Sequence, residues 1–109
     1  MSPITTHVLD TSAGGPAAGI SAVLDMLGSD GLTWELLGRG VTDADGRIRT
    51  LLPDGHAFRP GLYRIRFDTS ERSPFFPEVA IEFRVDDPSQ HYHVPLLLSP
   101  YGYSTYRGS

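Results

Sequence analysis

Hydrophobic and polar positions alternate at a spacing of two through most of the chain, the signature of half-buried β-strands. The cleanest stretch is residues 79–85, where Val79, Ile81, Phe83 and Val85 fall on one side and Ala80, Glu82 and Arg84 on the other. Gly61–Asp68 repeats the pattern with Tyr63, Ile65 and Phe67 against Arg64 and Arg66. Residues 19–27 put Ile20, Ala22, Leu24 and Met26 together and end at Gly28-Ser29-Asp30-Gly31; residues 33–41 follow, with Trp34 and Leu36 as core candidates. At the start, Ile4–Asp10 sets His7 and Leu9 opposite Val8 and Asp10, and Thr11-Ser12-Ala13-Gly14-Gly15-Pro16 breaks the strand. Asp43-Ala44-Asp45-Gly46 reads as a tight turn that delivers Arg47 to the start of the next strand, with Gly46 supplying the positive φ. Two last strands, residues 91–98 and 101–107, are separated by Ser99-Pro100. The breaker-rich residues 53–60 and the proline-marked residues 69–77 read as connections. About eight strands at this spacing predict an all-β sandwich of two antiparallel sheets.

Length and composition narrow this picture. At 109 residues the chain is expected to be a single domain, residues 1–109, with one core. Twelve glycines and nine prolines suit short strands joined by turns. With no cysteine, a disulfide framework, a thiolate metal site and a cysteine nucleophile are all excluded. A formal charge of −4 without a basic block argues against nucleic acid or an anionic membrane as partner. The opening MSPITTHVLD has neither the basic start nor the apolar run of a signal peptide, and no apolar run reaches membrane-spanning length, so a cytoplasmic location is expected.

Candidate chemistry gathers near the C-terminus, where residues 91–109 read HYHVPLLLSPYGYSTYRGS. Chain ends usually fray into polar tails, so aromatic and apolar residues this close to Ser109 are expected to be built into something. Strand parity puts His91, His93, Pro95 and Leu97 on one face and Tyr92, Val94, Leu96 and Leu98 on the core face. Ser104 and Tyr106 oppose Tyr103 and Thr105 in the same way. A face mixing His, Leu, Ser and Tyr suits a binding cleft or a subunit interface. His91 and His93 could chelate zinc, but no third or fourth ligand is evident. Asp43 and Asp45 resemble the start of a calcium loop, yet the twelfth position holds Asp54 where a glutamate is needed. No metal or other cofactor is therefore expected. Taken singly, His56 reads as a surface or satisfied core histidine, Arg47 as a solvated charge, and Tyr101, Tyr103 and Tyr106 as sandwich packing. There is no nucleophile elbow, phosphate loop or dinucleotide fingerprint.

Taken together, these stretches say more. His7-Val8-Leu9-Asp10 with Gly15-Pro16-Ala17, then Thr42-Asp43-Ala44-Asp45-Gly46-Arg47, then the closing YHVPLLLSPYGYSTYRGS, resemble the 5-hydroxyisourate hydrolases of the transthyretin-like family, essentially end to end. Tyr106-Arg107-Gly108-Ser109 is the most specific mark. The resemblance implies an eight-stranded sandwich and hydrolysis of 5-hydroxyisourate to 2-oxo-4-hydroxy-4-carboxy-5-ureidoimidazoline in urate degradation, without a metal. It further implies a homotetramer, a dimer of dimers, with sites in the channel between dimers. His7, Arg47 and His93 carry over as catalytic positions; His7, Arg47, Ser104, Tyr106, Arg107 and Ser109 carry over as substrate-binding ones. Family members commonly have a short helix before the Phe-Pro-Glu that opens a strand. Here only residues 70–75 intervene, so that helix is expected to be lost or reduced to a turn. The competing class is a non-enzymatic carrier like transthyretin, which has the sandwich and channel but not the histidine and arginine constellation or the closing tetrapeptide.

Overall fold

The computed structural model describes residues 2–109, and its strands follow the alternation. In chain order they are β1 (Ile4–Asp10), β2 (Gly15–Pro16), β3 (Ser21–Leu27), β4 (Trp34–Val41), β5 (Arg47–Ile48), β6 (Gly61–Asp68), β7 (Glu78–Val85), β8 (Tyr92–Ser99) and β9 (Gly102–Thr105). Eight correspond to the strands expected, and the ninth is the two-residue β2, which folds back onto the end of β1. One sheet runs β2-β1-β8-β9 with β5 also paired to β1, and the other runs β4-β3-β6-β7. The second sheet is antiparallel throughout. In the first, β1 and β8 are parallel over seven residues. Alternation does not encode this direction, because a parallel and an antiparallel neighbour present the same faces.

The inward rows fill the space between the sheets. Ile20, Ala22, Leu24 and Met26 meet Tyr63, Ile65 and Phe67 from β6, Val79, Ile81 and Val85 from β7, and Tyr92, Val94, Leu96 and Leu98 from β8, all buried. The core also takes Leu51 and Leu52 from an irregular segment in which no alternation marks them. That segment runs so close to β4 that a Cβ at Gly38 would collide with the Leu51 carbonyl oxygen. Ser2 fixes it, its hydroxyl donating to the Leu52 carbonyl at 3.1 Å.

Leu36 is not a core residue. It is 48% exposed, and Leu37 is buried in its place. The β3–β4 register slips between Leu24 and Asp25, so that Leu36 opposes Asp25 and Gly38 opposes Leu24, with Leu37 as the extra residue. Such a bulge reverses side-chain parity along its strand. Trp34 is likewise on the outer face, where the Arg64 guanidinium lies 4.1 Å from its ring centre.

No helix forms over residues 69–77. The single turn that remains is closed by the Ser73 N–H donating to the Thr69 carbonyl at 2.9 Å, and it is pinned on both sides. The Ser73 hydroxyl donates to the Pro100 carbonyl, and Arg72 Nη1 meets Asp10 Oδ2 at 2.9 Å. The Ser12 hydroxyl and the Ala13 N–H hold the Asp10 carboxyl down to about 2, with Arg72 contributing and burial opposing. A carboxylate whose pKa is depressed on folding stabilises the protein fully above its unfolded value of 3.8, and that stability is lost as the pH falls toward 2. Arg72→Ala is expected to cost about 1 kcal/mol at neutral pH, with the difference shrinking as the pH approaches 2. Urea midpoints for the two proteins at pH 7 and pH 2.5 check this; equal midpoints at pH 7 would remove the ion pair from the account.

Candidate active site

The site is assembled by strand register on the outer face of the first sheet. Thr5 pairs with His93, His7 with Pro95 and Leu9 with Leu97 across the parallel β1–β8 ladder. His7 also pairs with Arg47 on the other side of β1, and Leu97 with Ser104 across β8–β9. Residues directly paired point to the same face. The outer face therefore carries three rows: Thr5 and His93, then Arg47, His7 and Pro95, then Leu9, Leu97 and Ser104. Rows two residues apart are separated by about 7 Å, so Arg47 and His7 stand next to His93.

The turn before β5 fixes Arg47. Asp43 Oδ1 accepts from the N–H groups of Asp45 at 2.9 Å and Arg47 at 3.0 Å, while Asp43 Oδ2 pairs with Arg49 Nη1 at 2.6 Å. Gly46 has φ +78°, and its carbonyl accepts from the Val8 N–H at 2.7 Å. A Cβ there would strike the Val8 carbonyl oxygen, so the turn docks on β1 only with glycine. The same turn orients His7, whose Nε2 lies 2.8 Å from the Asp45 carbonyl oxygen. A carbonyl only accepts, so Nε2 carries the proton and Nδ1 is the open nitrogen of neutral His7.

His93 is held by Thr5, with Nδ1 2.8 Å from the threonine hydroxyl. The same hydroxyl lies 3.1 Å from His91 Nε2, and the two imidazoles stand 6.4 Å apart at 17°. Burial, and then the charges of Arg47, His91 and His7, push the His93 pKa below its ordinary 6.5. The imidazole is therefore neutral at neutral pH.

The C-terminal residues close over this histidine. The Gly108 N–H donates to the His93 carbonyl at 2.8 Å, and a Cβ on Gly108 would come within 2.5 Å of His93 Cδ2. Ser109 shares an open pocket of about 190 Å³ with Arg47, Arg49, Thr5, His91 and His93. Tyr106 and Arg107 lie on the other side of His93, in a second pocket of about 250 Å³ reaching across to Glu82 and Arg84 of β7. Arg107 is engaged there: its guanidinium sits 4.4 Å from the Tyr92 ring centre and donates to Gln90 Oε1 at 2.9 Å. Ser104 is on the His93 face but stands two rows away from it, beside Leu97, Ser99 and Thr11. Arg47 and His93 thus share a pocket with Ser109, His7 stands beside Arg47 in the adjoining row, and Ser104 lines a different pocket. Tyr101 and Tyr106 do not pack in the sandwich, being 75% and 59% exposed, whereas the Tyr103 ring packs edge-on against Phe76 with centroids 5.2 Å apart. Sequence reasoning passed over Thr5, because a threonine in a strand is ordinary β-former chemistry and its buried hydroxyl becomes informative only once both histidines are seen to share it.

A family model described as the HIUase/Transthyretin family matches residues 4–108. The chain belongs to that family. It is 47% identical over 120 residues to the uric acid degradation bifunctional protein TTL of Arabidopsis thaliana, covering 98% of this chain and 37% of that protein. The chain thus spans little more than a third of this relative. It is 43% identical over 119 residues to the 5-hydroxyisourate hydrolase of Caulobacter vibrioides, covering all of both chains. Among solved structures, the Klebsiella pneumoniae 5-hydroxyisourate hydrolase superposes with TM-score 0.80 at 36% identity, covering 97% of this chain and 98% of that one. Sea bream transthyretin in complex with thyroxine superposes with TM-score 0.87 at 32% identity, covering 97% and 94%. Backbone shape does not separate a hydrolase from a carrier, and the decision falls to the side chains.

Proposed function

We propose that the protein hydrolyses 5-hydroxyisourate to 2-oxo-4-hydroxy-4-carboxy-5-ureidoimidazoline, using side chains alone and no metal. The observation that carries this is the row of Arg47 and His7 set beside a His93 whose pKa is lowered. Attack of water on a ring carbonyl needs a base that is unprotonated at neutral pH and a fixed positive charge where the oxyanion develops. His93 meets the first need. Its Nδ1 is occupied by Thr5, and its Nε2 has no hydrogen-bond partner among the described residues, so Nε2 is the atom that takes the proton from water. Arg47 meets the second by binding and polarising the carbonyl. His7, locked by Asp45, orients the water through Nδ1. A carrier for apolar ligands has no use for this arrangement, in which a guanidinium and two imidazoles share one face and burial disfavours the charged form of His93.

The proposal includes a homotetramer. The exposure of Tyr106, just beyond the edge strand β9, supports it, since this ring is left largely open by one chain. Partner copies facing each other across the outer sheet face would bring Tyr106 and Ser104 of neighbouring chains toward His93.

The test generates 5-hydroxyisourate from urate with urate oxidase and follows its absorbance decay with and without the protein. Decay no faster than the spontaneous reaction overturns the function, and a monomer on sizing overturns the tetramer. The pH dependence has a defined sign. Because the His93 pKa is lowered, kcat/KM should hold its plateau down to below pH 6.5 and then fall as the imidazole is protonated. A fall that begins above pH 7 would remove His93 as the base.

A further inference from the structure

We propose that Thr5 is a positioning residue that relays a proton between His93 and His91 and so sets which nitrogen of His93 faces the substrate. This rests on the hydrolase reading for its catalytic use but not for its hydrogen bonding. The geometry is a chain of three groups, His91 Nε2 to Thr5 Oγ1 at 3.1 Å and Thr5 Oγ1 to His93 Nδ1 at 2.8 Å. Thr5 is 6% exposed, so water does not readily replace either partner. A hydroxyl has a single proton to donate. It can give that proton to only one of the two histidines, and it then accepts from the other.

Two states follow. With His91 neutral and its Nε2 unprotonated, Thr5 donates to His91 and accepts from His93 Nδ1–H. His93 Nε2 then presents a lone pair to the pocket, the form that removes a proton from water. With His91 protonated, Nε2–H donates to Thr5, which must now donate to His93 Nδ1. His93 Nε2 then carries the proton, the form that protonates a leaving nitrogen. Moving between them during turnover balances. The proton taken from water arrives on His93 Nε2; the Nδ1 proton passes to Thr5 Oγ1, and the Thr5 proton passes to His91 Nε2. His93 ends neutral with its tautomer reversed, His91 ends with one added proton, and no other atom moves. When the leaving nitrogen takes the Nε2 proton the relay runs back, Thr5 returning a proton to His93 Nδ1 and His91 Nε2 returning one to Thr5. His93 thus serves as base in the first step and as acid in the second, with no net charge left on either histidine.

The charged surroundings favour sending the proton outward. Arg47 and Arg49 line the pocket that both histidines share; burial first, and then the charge of Arg47, oppose a proton on the half-buried His93. On the far side His93 borders the pocket holding Glu82, Arg84, Tyr106 and Arg107. His91 is exposed, where a positive charge is solvated. Arg107 Nη2 also reaches the His91 carbonyl at 3.4 Å, which holds the backbone of His91 next to the relay.

The test compares the wild-type protein with Thr5→Val, Thr5→Ser and His91→Phe. Thr5→Val is nearly isosteric, Thr5→Ser keeps the hydroxyl, and His91→Phe keeps a ring at an exposed site. Imidazole 15N shifts of His93, read without substrate, report the tautomer directly. The wild type is expected to show the Nδ1–H tautomer at pH 8 and a shift toward Nε2–H as His91 gains a proton. Thr5→Val and His91→Phe should lose that pH-linked exchange, and Thr5→Ser should keep it. In the absorbance assay Thr5→Val should lower kcat by roughly 10- to 100-fold with KM within about twofold, and Thr5→Ser should recover most of it. A His93 tautomer in Thr5→Val and His91→Phe that follows pH as in the wild type overturns the relay, whatever the activity. If the wild type fails to speed the decay, the hydrolase reading falls while the 15N shifts still decide the relay.

Discussion

Replacing His93 with alanine is expected to lower turnover by roughly 10²- to 10⁴-fold, with the fold intact. The loss is large because the row of His7 lies about 7 Å from that of His93, and His7 is fixed there by its Nε2 bond to the Asp45 carbonyl, so its open Nδ1 does not move into the place that His93 Nε2 leaves. The fold survives because the His93 side chain is only half-buried and outside the core, while its backbone bonds to β1 and to Gly108 do not depend on the ring. Alanine also leaves Gly108 free of its imidazole neighbour without creating a cavity between the sheets. The check is kcat by absorbance decay together with circular dichroism and sizing. Turnover within about tenfold of wild type, in a protein of unchanged size, would mean that His93 does not activate the water.

The core was legible because alternation is local. Every inward position proposed on β3, β6 and β8 is buried, since a strand that faces one sheet must present every second residue to it. Leu36 was misplaced by a bulge opposite Asp25 that leaves no mark in the order of residues. Asp25 itself is buried on the outer face of the second sheet between Arg64 at 2.9 Å and Arg66 at 2.7 Å, a cross-strand arrangement that parity alone does not reveal. Leu51 and Leu52 were missed because they belong to no strand. The site divides in the same way. His93 was placed on the correct face by parity, and the tight turn before Arg47 followed from Gly46, but their meeting depends on the parallel β1–β8 ladder and on β5 docking against β1. Those pairings are between residues some 40 and 88 positions apart, and only the family resemblance brought His7, Arg47 and His93 together beforehand. The hydroxyl between the two histidines had no counterpart in either kind of reasoning.

Arg47→Ala carries the second large effect, and it separates charge from shape. Removing a donor that binds the developing oxyanion is expected to cost roughly 10²- to 10³-fold in kcat. The turn does not need the guanidinium, because Arg47 is held through its N–H to Asp43 and the turn through the Gly46 carbonyl to Val8. The fold should therefore be unaffected. A second consequence follows from the pKa of His93. Burial is the first cause of its depression, and Arg47 is the largest of the charges that add to it. Without Arg47 the pKa rises back toward 6.5, so more of the imidazole is protonated at a given mildly acidic pH and the acid limb of kcat/KM moves to higher pH. Arg47→Lys restores a positive charge but not the planar fork. It should return the limb toward its wild-type position while recovering only part of the rate. If Arg47→Ala lowers the rate and leaves the limb where it was, the guanidinium binds substrate without acting on His93. If Arg47→Lys recovers the full rate, a point charge suffices and the bidentate geometry is not part of the chemistry.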